Sequence, residues 1–207
     1  MSRLRYEKDQ KYVAFDFETE HLNLYSTRPW ELAYVVFTQH EIIHKRKFFI
    51  WWEDLRVTET AARMTGFDHD VYKREAQPQA EVFKHFGKIL AREDLHFVTC
   101  NGFGFDNYVW QTWRRANKLL PEWSFCDRSH DISCLMKGII KGMLPTDNYL
   151  CWNIRMSNYV EKGLKSGIKG CMNHYNMRYD STQHHQALYD VMVTKDIFLK
   201  QMWDAKL

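Results

Sequence analysis

The sequence predicts an α/β fold in which a mixed sheet carries helices on its faces. Three apolar runs rich in β-branched and aromatic residues follow one another near the N-terminus, and helix-like segments then alternate with a further buried-strand candidate. The chain has 207 residues, of which 45% are hydrophobic, and this is enough to bury one substantial core. We therefore expect a single domain that covers residues 1–207.

The three apolar runs predict a three-stranded meander. They cover residues 11–18, 31–39 and 42–52, and His40-Glu41 provides a tight connection between the second and the third. These strands are therefore expected to be neighbours in the sheet.

The rest of the chain predicts mainly helices. Thr58 has the position of a helix cap and Gly66 that of a helix end, while residues 95–100 form a buried-strand candidate that Asn101-Gly102 stops. Further helices are expected over residues 79–92, 106–118, 131–141, 157–165 and 186–203, with an irregular stretch over residues 142–155.

Composition limits the partners and the compartment. A balance of 29 Lys+Arg against 26 Asp+Glu is far from the strongly basic profile of a protein that grips duplex DNA through phosphates alone, so any nucleic-acid contact must be local. The five cysteines are odd in number and include no Cys-x-x-Cys, which favours free thiols in a reducing, cytoplasmic setting. No apolar run approaches the ~20 residues of a membrane span, so no membrane partner is expected.

The first of three acidic motifs is Asp16-Phe17-Glu18. Residues two apart in a strand point to the same side, so both carboxylates project together, while Phe15 and Phe17 face the opposite layer. Two adjacent carboxylates on a core strand are costly unless a cation lies between them, and a divalent metal would meet that need. A strand whose polar face is simply hydrated is the alternative.

The second and third motifs are ambiguous when each is taken alone. Asp106 follows Asn101 at a strand-to-helix junction, an edge where ligands gather in open α/β sheets, but it could equally be a helix-capping acid. His185 and Asp190 would lie ~140° apart in one regular helix, so His185 is expected at or before the helix start. A single histidine there is usually solvated or capping.

Taken together, the order Asp-x-Glu, Asn-x-x-x-Phe-Asp and His-x-Ala-x-x-Asp resembles the DEDD exonuclease superfamily in its His-containing DEDDh branch. The rival branch with tyrosine would need that residue at position 186, where the chain has Gln186. Weaker landmarks are similar to those of bacterial exonuclease I, namely Arg28-Pro29, Met64-Thr65-Gly66 and Asp131-Ile132-Ser133-Cys134-Leu135.

The resemblance implies a ribonuclease-H-like mixed sheet of five strands flanked by helices. It also implies a 3′→5′ exonuclease that shortens single-stranded DNA and releases 5′-mononucleotides. An exoribonuclease with the same site and a catalytically silent nucleic-acid-binding domain remain open alternatives, because a fold does not fix a function.

The resemblance further implies roles for individual residues. Two divalent cations, Mg²⁺ with Mn²⁺ as a substitute, would be held by Asp16, Glu18, Asp106 and Asp190. His185 would be the general base, although His184 precedes it and the choice depends on motif spacing. Substrate contacts are expected from Thr19, Leu22, Met64, Asn101 and Phe105.

Three features are left open by the sequence. Glu20-His21 places an extra acid and an imidazole where many relatives have Thr-Gly, near the expected 3′-terminal base. A structural zinc site could be built from Cys151, Cys171, His174, His184 and His185. The basic segment with Lys162, Lys165, Lys169 and Arg178, and the helix face with Arg114, Arg115 and Lys118, could follow the phosphates of a strand or could simply be solvated.

Overall fold

The computed structural model describes residues 9–145, 148–178, 180 and 186–205. The strands are β1 (Lys11–Thr19), β2 (Pro29–Phe37), β3 (Ile42–Trp51), β4 (Gln77–Pro78), β5 (Leu95–Thr99) and β6 (Ser129–Asp131). The helices are α1 (Glu59–Thr65), α2 (His69–Glu75), α3 (Gln79–Leu90), α4 (Asp106–Ala116), α5 (Ile132–Lys141), α6 (Tyr149–Asn158), α7 (Ile168–His174) and α8 (Ala187–Asp204), with a 3₁₀ helix at Ser124–Arg128. None of the helices in these ranges is long and apolar enough to span a membrane.

The strands form one mixed sheet in the order β4-β3-β2-β1-β5-β6. β1, β2 and β3 pair antiparallel, so the predicted meander is confirmed, and β5 and β6 continue the sheet parallel to β1. The predicted α/β class is therefore confirmed. The expected five strands become six, because the two-residue strand β4 pairs with the end of β3.

Each face of the central strand β1 is covered by its own core. Phe15 and Phe17 belong to a cluster with residues of α3 and α4, whereas Tyr12 and Ala14 pack with residues of α5 and α8. The predicted alternation along β1 is confirmed. Its polar pair Asp16 and Glu18 consequently points to the face that α8 crosses.

The predicted helix over residues 157–165 is wrong, and so is the irregular stretch over residues 142–155. Helix α6 occupies the second half of that stretch, since the Asn148 side chain caps it and Trp152 and Met156 are buried on one helical face. The chain leaves the helix at Tyr159. Helices α2 and α7 were not predicted.

The predicted boundaries of α1 are confirmed. The Thr58 hydroxyl accepts a hydrogen bond from the Ala61 amide at 3.3 Å, as an N-cap does. Gly66 ends the helix in the left-handed conformation with φ of 67°.

Candidate active site

Three carboxylates meet where β1 and α8 cross. One ligand oxygen each from Asp16, Glu18 and Asp190 lies within 4.8 Å of the others. The two β1 residues face the same side of the sheet, and Asp190 reaches them because it stands in the first turn of α8. Glu18 and Asp190 are buried and Asp16 is partly exposed. The structure therefore brings together acids that are 172 positions apart along the sequence, counted from Glu18 to Asp190.

Asp106 lies beside this cluster as the first residue of α4. Its Oδ1 atom accepts a hydrogen bond of 3.1 Å from the Phe17 amide, and Phe17 stands between Asp16 and Glu18. Burial raises the pKa of Asp106 to about 7, although the hydrogen bond from Phe17 acts in the opposite direction. All four predicted acids thus lie at one end of the sheet.

The electrostatic surroundings of the cluster favour a cation. Burial raises the pKa of Asp16 well above its usual range, and the charges of Asp106, Glu18 and Asp190 raise it further. Burial likewise raises the pKa of Glu18. The charges of Glu31, Asp190 and Asp106 raise it further, while the charge of Lys47 lowers it. Asp16 and Glu18 therefore have mainly negative charges around them.

Glu31 is a buried acid at this site that was not predicted from the sequence. It stands opposite Glu18 in the β1–β2 pairing and is only 3% exposed. Lys47 on β3 forms an ion pair with it at 3.3 Å, and the Ala187 amide at the start of α8 donates a hydrogen bond to it. Glu31 thus connects β2 and β3 to the helix that carries Asp190.

The turn between β5 and α4 is held by a different buried acid, Asp131. Its Oδ1 atom accepts from the Asn101 amide at 3.0 Å and its Oδ2 atom accepts from the Phe103 amide at 3.3 Å. Asn101 adopts a left-handed conformation with φ of 62°. A Cβ at Gly102 would lie 2.1 Å from the Thr99 hydroxyl, so this position requires glycine.

A cleft of about 1080 Å³ opens over the carboxylates. The four acids line it together with every predicted substrate residue, Thr19, Leu22, Met64, Asn101 and Phe105. Further lining residues come from α1, Thr58, Thr60, Ala61 and Thr65, and from the segment before and within α7, Leu164, Lys165, Ser166, Gly167, Ile168, Lys169, Gly170 and Asn173. Leu22 stands out among them because 74% of its surface is exposed.

Glu20, the extra acid in the sequence, is a structural residue rather than a substrate contact. It is buried and forms hydrogen bonds of 2.9 Å with the Arg28 guanidinium through both oxygens. Its Oε2 atom also accepts from the Arg56 amide, and its backbone oxygen accepts from the Thr58 amide. Glu20 therefore joins the loop that carries Leu22 to the start of α1.

The predicted general base His185 and its neighbour His184 lie outside the residues that the structure describes. These two histidines are also two of the five candidate zinc ligands. Cys171 is buried, and its thiol donates to the Ser166 carbonyl oxygen at 3.1 Å. Within the described ranges, the Asp16, Glu18 and Asp190 cluster is the only group of three or more His, Cys, Asp or Glu side chains that could together hold a metal.

A mixed sheet with an acidic cleft at the end of its central strand defines the class of ribonuclease-H-like nuclease domains. Residues 13–198 match the family model described as exonuclease, RNase_T. The chain belongs to this exonuclease family, and the predicted membership of the DEDD superfamily is confirmed.

Solved structures of E. coli exonuclease I share the fold. Its zinc-bound complex with single-stranded DNA has a TM-score of 0.71 at 14% identity, covering 94% of this chain and 40% of that chain. Its complex with a dA16 oligonucleotide has a TM-score of 0.71 at 15% identity, with the same two coverages. The present chain thus spans about 40% of the length of these proteins. Curated protein sequences give no significant match.

Proposed function

We propose that this chain is a metal-dependent 3′→5′ exonuclease that removes 5′-mononucleotides from single-stranded DNA. The observation that carries the proposal is the convergence of four acids from β1, α4 and α8 at the bottom of an open cleft. Membership of the exonuclease family supports the reaction. The complexes of E. coli exonuclease I with single-stranded DNA support the choice of substrate.

The acids fit divalent cations well. Carboxylate oxygens are the ligands that Mg²⁺ and Mn²⁺ prefer, and three of them already lie within 4.8 Å of one another. We assign Asp16, Glu18 and Asp190 to one ion, and Asp16 with Asp106 to a second. When bound, such a pair of ions promotes attack by water on the phosphodiester and stabilises the leaving 3′ oxygen.

The remaining residues of the site would bind the substrate and move the proton. Leu22 and Met64 present apolar groups to the cleft and are suited to contact the terminal base, while Thr19 offers a hydroxyl beside the acids. Asn101 and Phe105 line the cleft next to Asp106. We propose His185 as the general base that accepts the proton of the attacking water.

The direct test is the shortening of a strand labelled at its 5′ end. We expect a ladder of shorter labelled products in Mg²⁺ or Mn²⁺ and an intact strand in chelator. A 3′-phosphate should block the reaction and a 5′ block should not. Activity in metal-free buffer would contradict the proposal, as would rapid cutting of a closed circular strand.

The same assay separates the two alternative functions. Faster shortening of a matched RNA strand would make the protein an exoribonuclease. Binding of the strand without shortening, in the presence of metal, would identify a silent nucleic-acid-binding domain.

The role of His185 has its own test, with His184 as the matched control. Loss of a general base typically costs ~10²–10⁴ in rate while the metals remain bound. We therefore expect His185→Ala to be strongly impaired yet still to bind Mn²⁺, and His184→Ala to keep most of its activity. The reverse ranking would move the assignment to His184.

A further inference from the structure

We propose that Lys165 and Lys169 bind the phosphates of the substrate strand and so fix which side of the strand faces which part of the cleft. The inference rests on the proposed function, because it presumes a nucleic acid in this cleft. Both lysines line the cleft that contains the four acids. They belong to the segment Leu164 to Gly170, which we call the lysine wall.

The lysine wall supplies positive charge to a cleft that is also lined by negative charges. Among the described lining residues, Lys165 and Lys169 are the only Lys or Arg side chains, whereas four are carboxylates. A strand carries one negative charge at each phosphate, so it is repelled by acids that no metal neutralises. Divalent ions bound by the acids would neutralise the charge of the scissile phosphate. Phosphates further along the strand need other cations, and the lysine wall supplies them.

The residues that α1 and the Leu22 loop contribute to the cleft have a different character. Ala61, Met64 and Leu22 are apolar, and the remaining α1 residues in the lining are threonines. Such a surface suits a base and a sugar but offers no positive charge to a phosphate. The strand is therefore oriented with its bases toward α1 and its phosphates toward the lysine wall.

The backbone of the lysine wall is held firmly in place. The Ser166 hydroxyl forms a hydrogen bond of 2.8 Å with the Ser133 hydroxyl on α5, and the Cys171 thiol donates to the Ser166 carbonyl oxygen. A Cβ at Gly170 would lie 2.4 Å from the Lys165 carbonyl oxygen, so the chain passes too close to itself for any other residue. The lysines thus extend from a fixed segment, which reduces the ordering cost of each phosphate contact.

Lys162 provides a matched control. It lies in the same basic segment and is exposed, but it is not among the residues that line the cleft. If the segment attracted DNA only through its overall charge, removal of Lys162 would have the same effect as removal of Lys165 or Lys169. If the cleft-lining position matters, only the latter two should affect binding.

The first measurement is the salt dependence of binding. The affinity for a short 5′-fluorescein-labelled oligothymidylate would be measured in chelator, where no cleavage is expected, at several salt concentrations. For single strands, each phosphate contact contributes about 0.7 to the slope of log affinity against log salt. Lys165→Ala and Lys169→Ala should each make this negative slope shallower by about 0.7, whereas Lys162→Ala should leave it unchanged. Equal effects of all three substitutions would overturn the proposal.

The second measurement removes the charge from the DNA instead. A strand that keeps its 3′-terminal phosphodiester but has neutral methylphosphonates at the next linkages should bind more weakly than the natural strand to the wild-type protein. The Lys165→Ala/Lys169→Ala double variant should no longer distinguish the two strands. If the double variant still prefers the natural strand over the methylphosphonate strand as strongly as the wild type does, the lysine wall does not contact those phosphates. If the wild-type protein fails to shorten any strand in Mg²⁺, the proposed function fails instead, and the two failures are thereby distinguishable.

Discussion

The charge of Asp131 and the charges of Asp16 and Glu18 are accommodated in different ways in this fold. Asp131 is fully buried, and its carboxylate accepts hydrogen bonds from the amides of Asn101, Phe103, Ser133 and Cys134. Burial raises the pKa of Asp131, Asp16 and Glu18 alike. The amide hydrogen bonds counteract this effect at Asp131, whereas neighbouring carboxylates raise the pKa values of Asp16 and Glu18 further. One acid is thus stabilised by the backbone, and the others are held together against their mutual repulsion.

The contrast separates a structural acid from a functional one. A buried carboxylate that accepts several amide hydrogen bonds contributes to folding, because its charge is compensated. A buried group of like charges lowers the stability of the metal-free protein, and a bound cation offsets that cost. Burial alone therefore does not identify a catalytic acid, whereas the nature of its neighbours does.

The largest expected effect is on activity, from neutralising one acid of the cluster. Asp16→Asn should lower the rate of strand shortening by about 10²-fold or more, because a metal ligand supplies several kcal/mol of transition-state stabilisation. Its thermal stability in chelator should be equal to or higher than that of the wild type, since a repelling charge is removed.

Asp190→Asn is the matching substitution on α8 and should behave in the same way. Strand shortening at the wild-type rate in either variant would show that the residue is not a metal ligand. A strong loss of stability in chelator would show that the repulsion is not significant.

The opposite result is expected for Asp131→Asn. An amide nitrogen cannot accept the hydrogen bond that Phe103 donates, so the part-buried Phe103 amide loses its partner. The free energy of unfolding should fall by about 1–3 kcal/mol, measured by urea denaturation in chelator. If the variant is as stable as the wild type, Asp131 does not stabilise the fold, and the proposed difference between Asp131 and the clustered acids is wrong.

A smaller effect is expected on the pH dependence of stability. The pKa of Asp106 is raised to about 7 in the folded protein, so between about pH 4 and pH 7 the folded state holds a proton that the unfolded state has lost. The metal-free protein should therefore lose stability from this group as the pH rises through that window. Added Mg²⁺ should raise the melting temperature more at pH 8 than at pH 5, because the ion binds the ionised form.

Asp106→Asn is the control for this pH effect. The variant should show a shallower decline of melting temperature with pH in chelator than the wild type does. If the two curves run parallel, Asp106 ionises in the folded protein as it does in the unfolded chain.

The sequence was sufficient to predict the features with a local pattern. The alternation along β1 placed Asp16 and Glu18 on one face, and the Thr58 cap and Gly66 stop fixed the limits of α1. The α6 helix was misplaced because its buried residues, Trp152 and Met156, lie in a stretch with a weak apolar pattern that begins just after a proline. Strand β6 was missed because only three residues form it.

Features that depend on contacts between distant segments could not be predicted. The role of Glu31 follows from the register of β1 with β2, and the structural role of Glu20 follows from its contact with Arg28. The position of Lys165 in the cleft depends on the packing of Ser166 against Ser133. Single residues in the sequence give no indication of such pairings.

The hydrogen bond from the Phe17 amide to Asp106 gives the site a spectroscopic reporter. This amide lies between Asp16 and Glu18 of the cluster and donates directly to the adjacent Asp106, so its proton senses the charge on that carboxylate. In a ¹⁵N-labelled sample, the Phe17 resonance would follow the ionisation of Asp106 and its engagement by a cation without any substrate or probe. Occupancy of the acidic site by a metal could thus be read from one peak of the protein's own backbone.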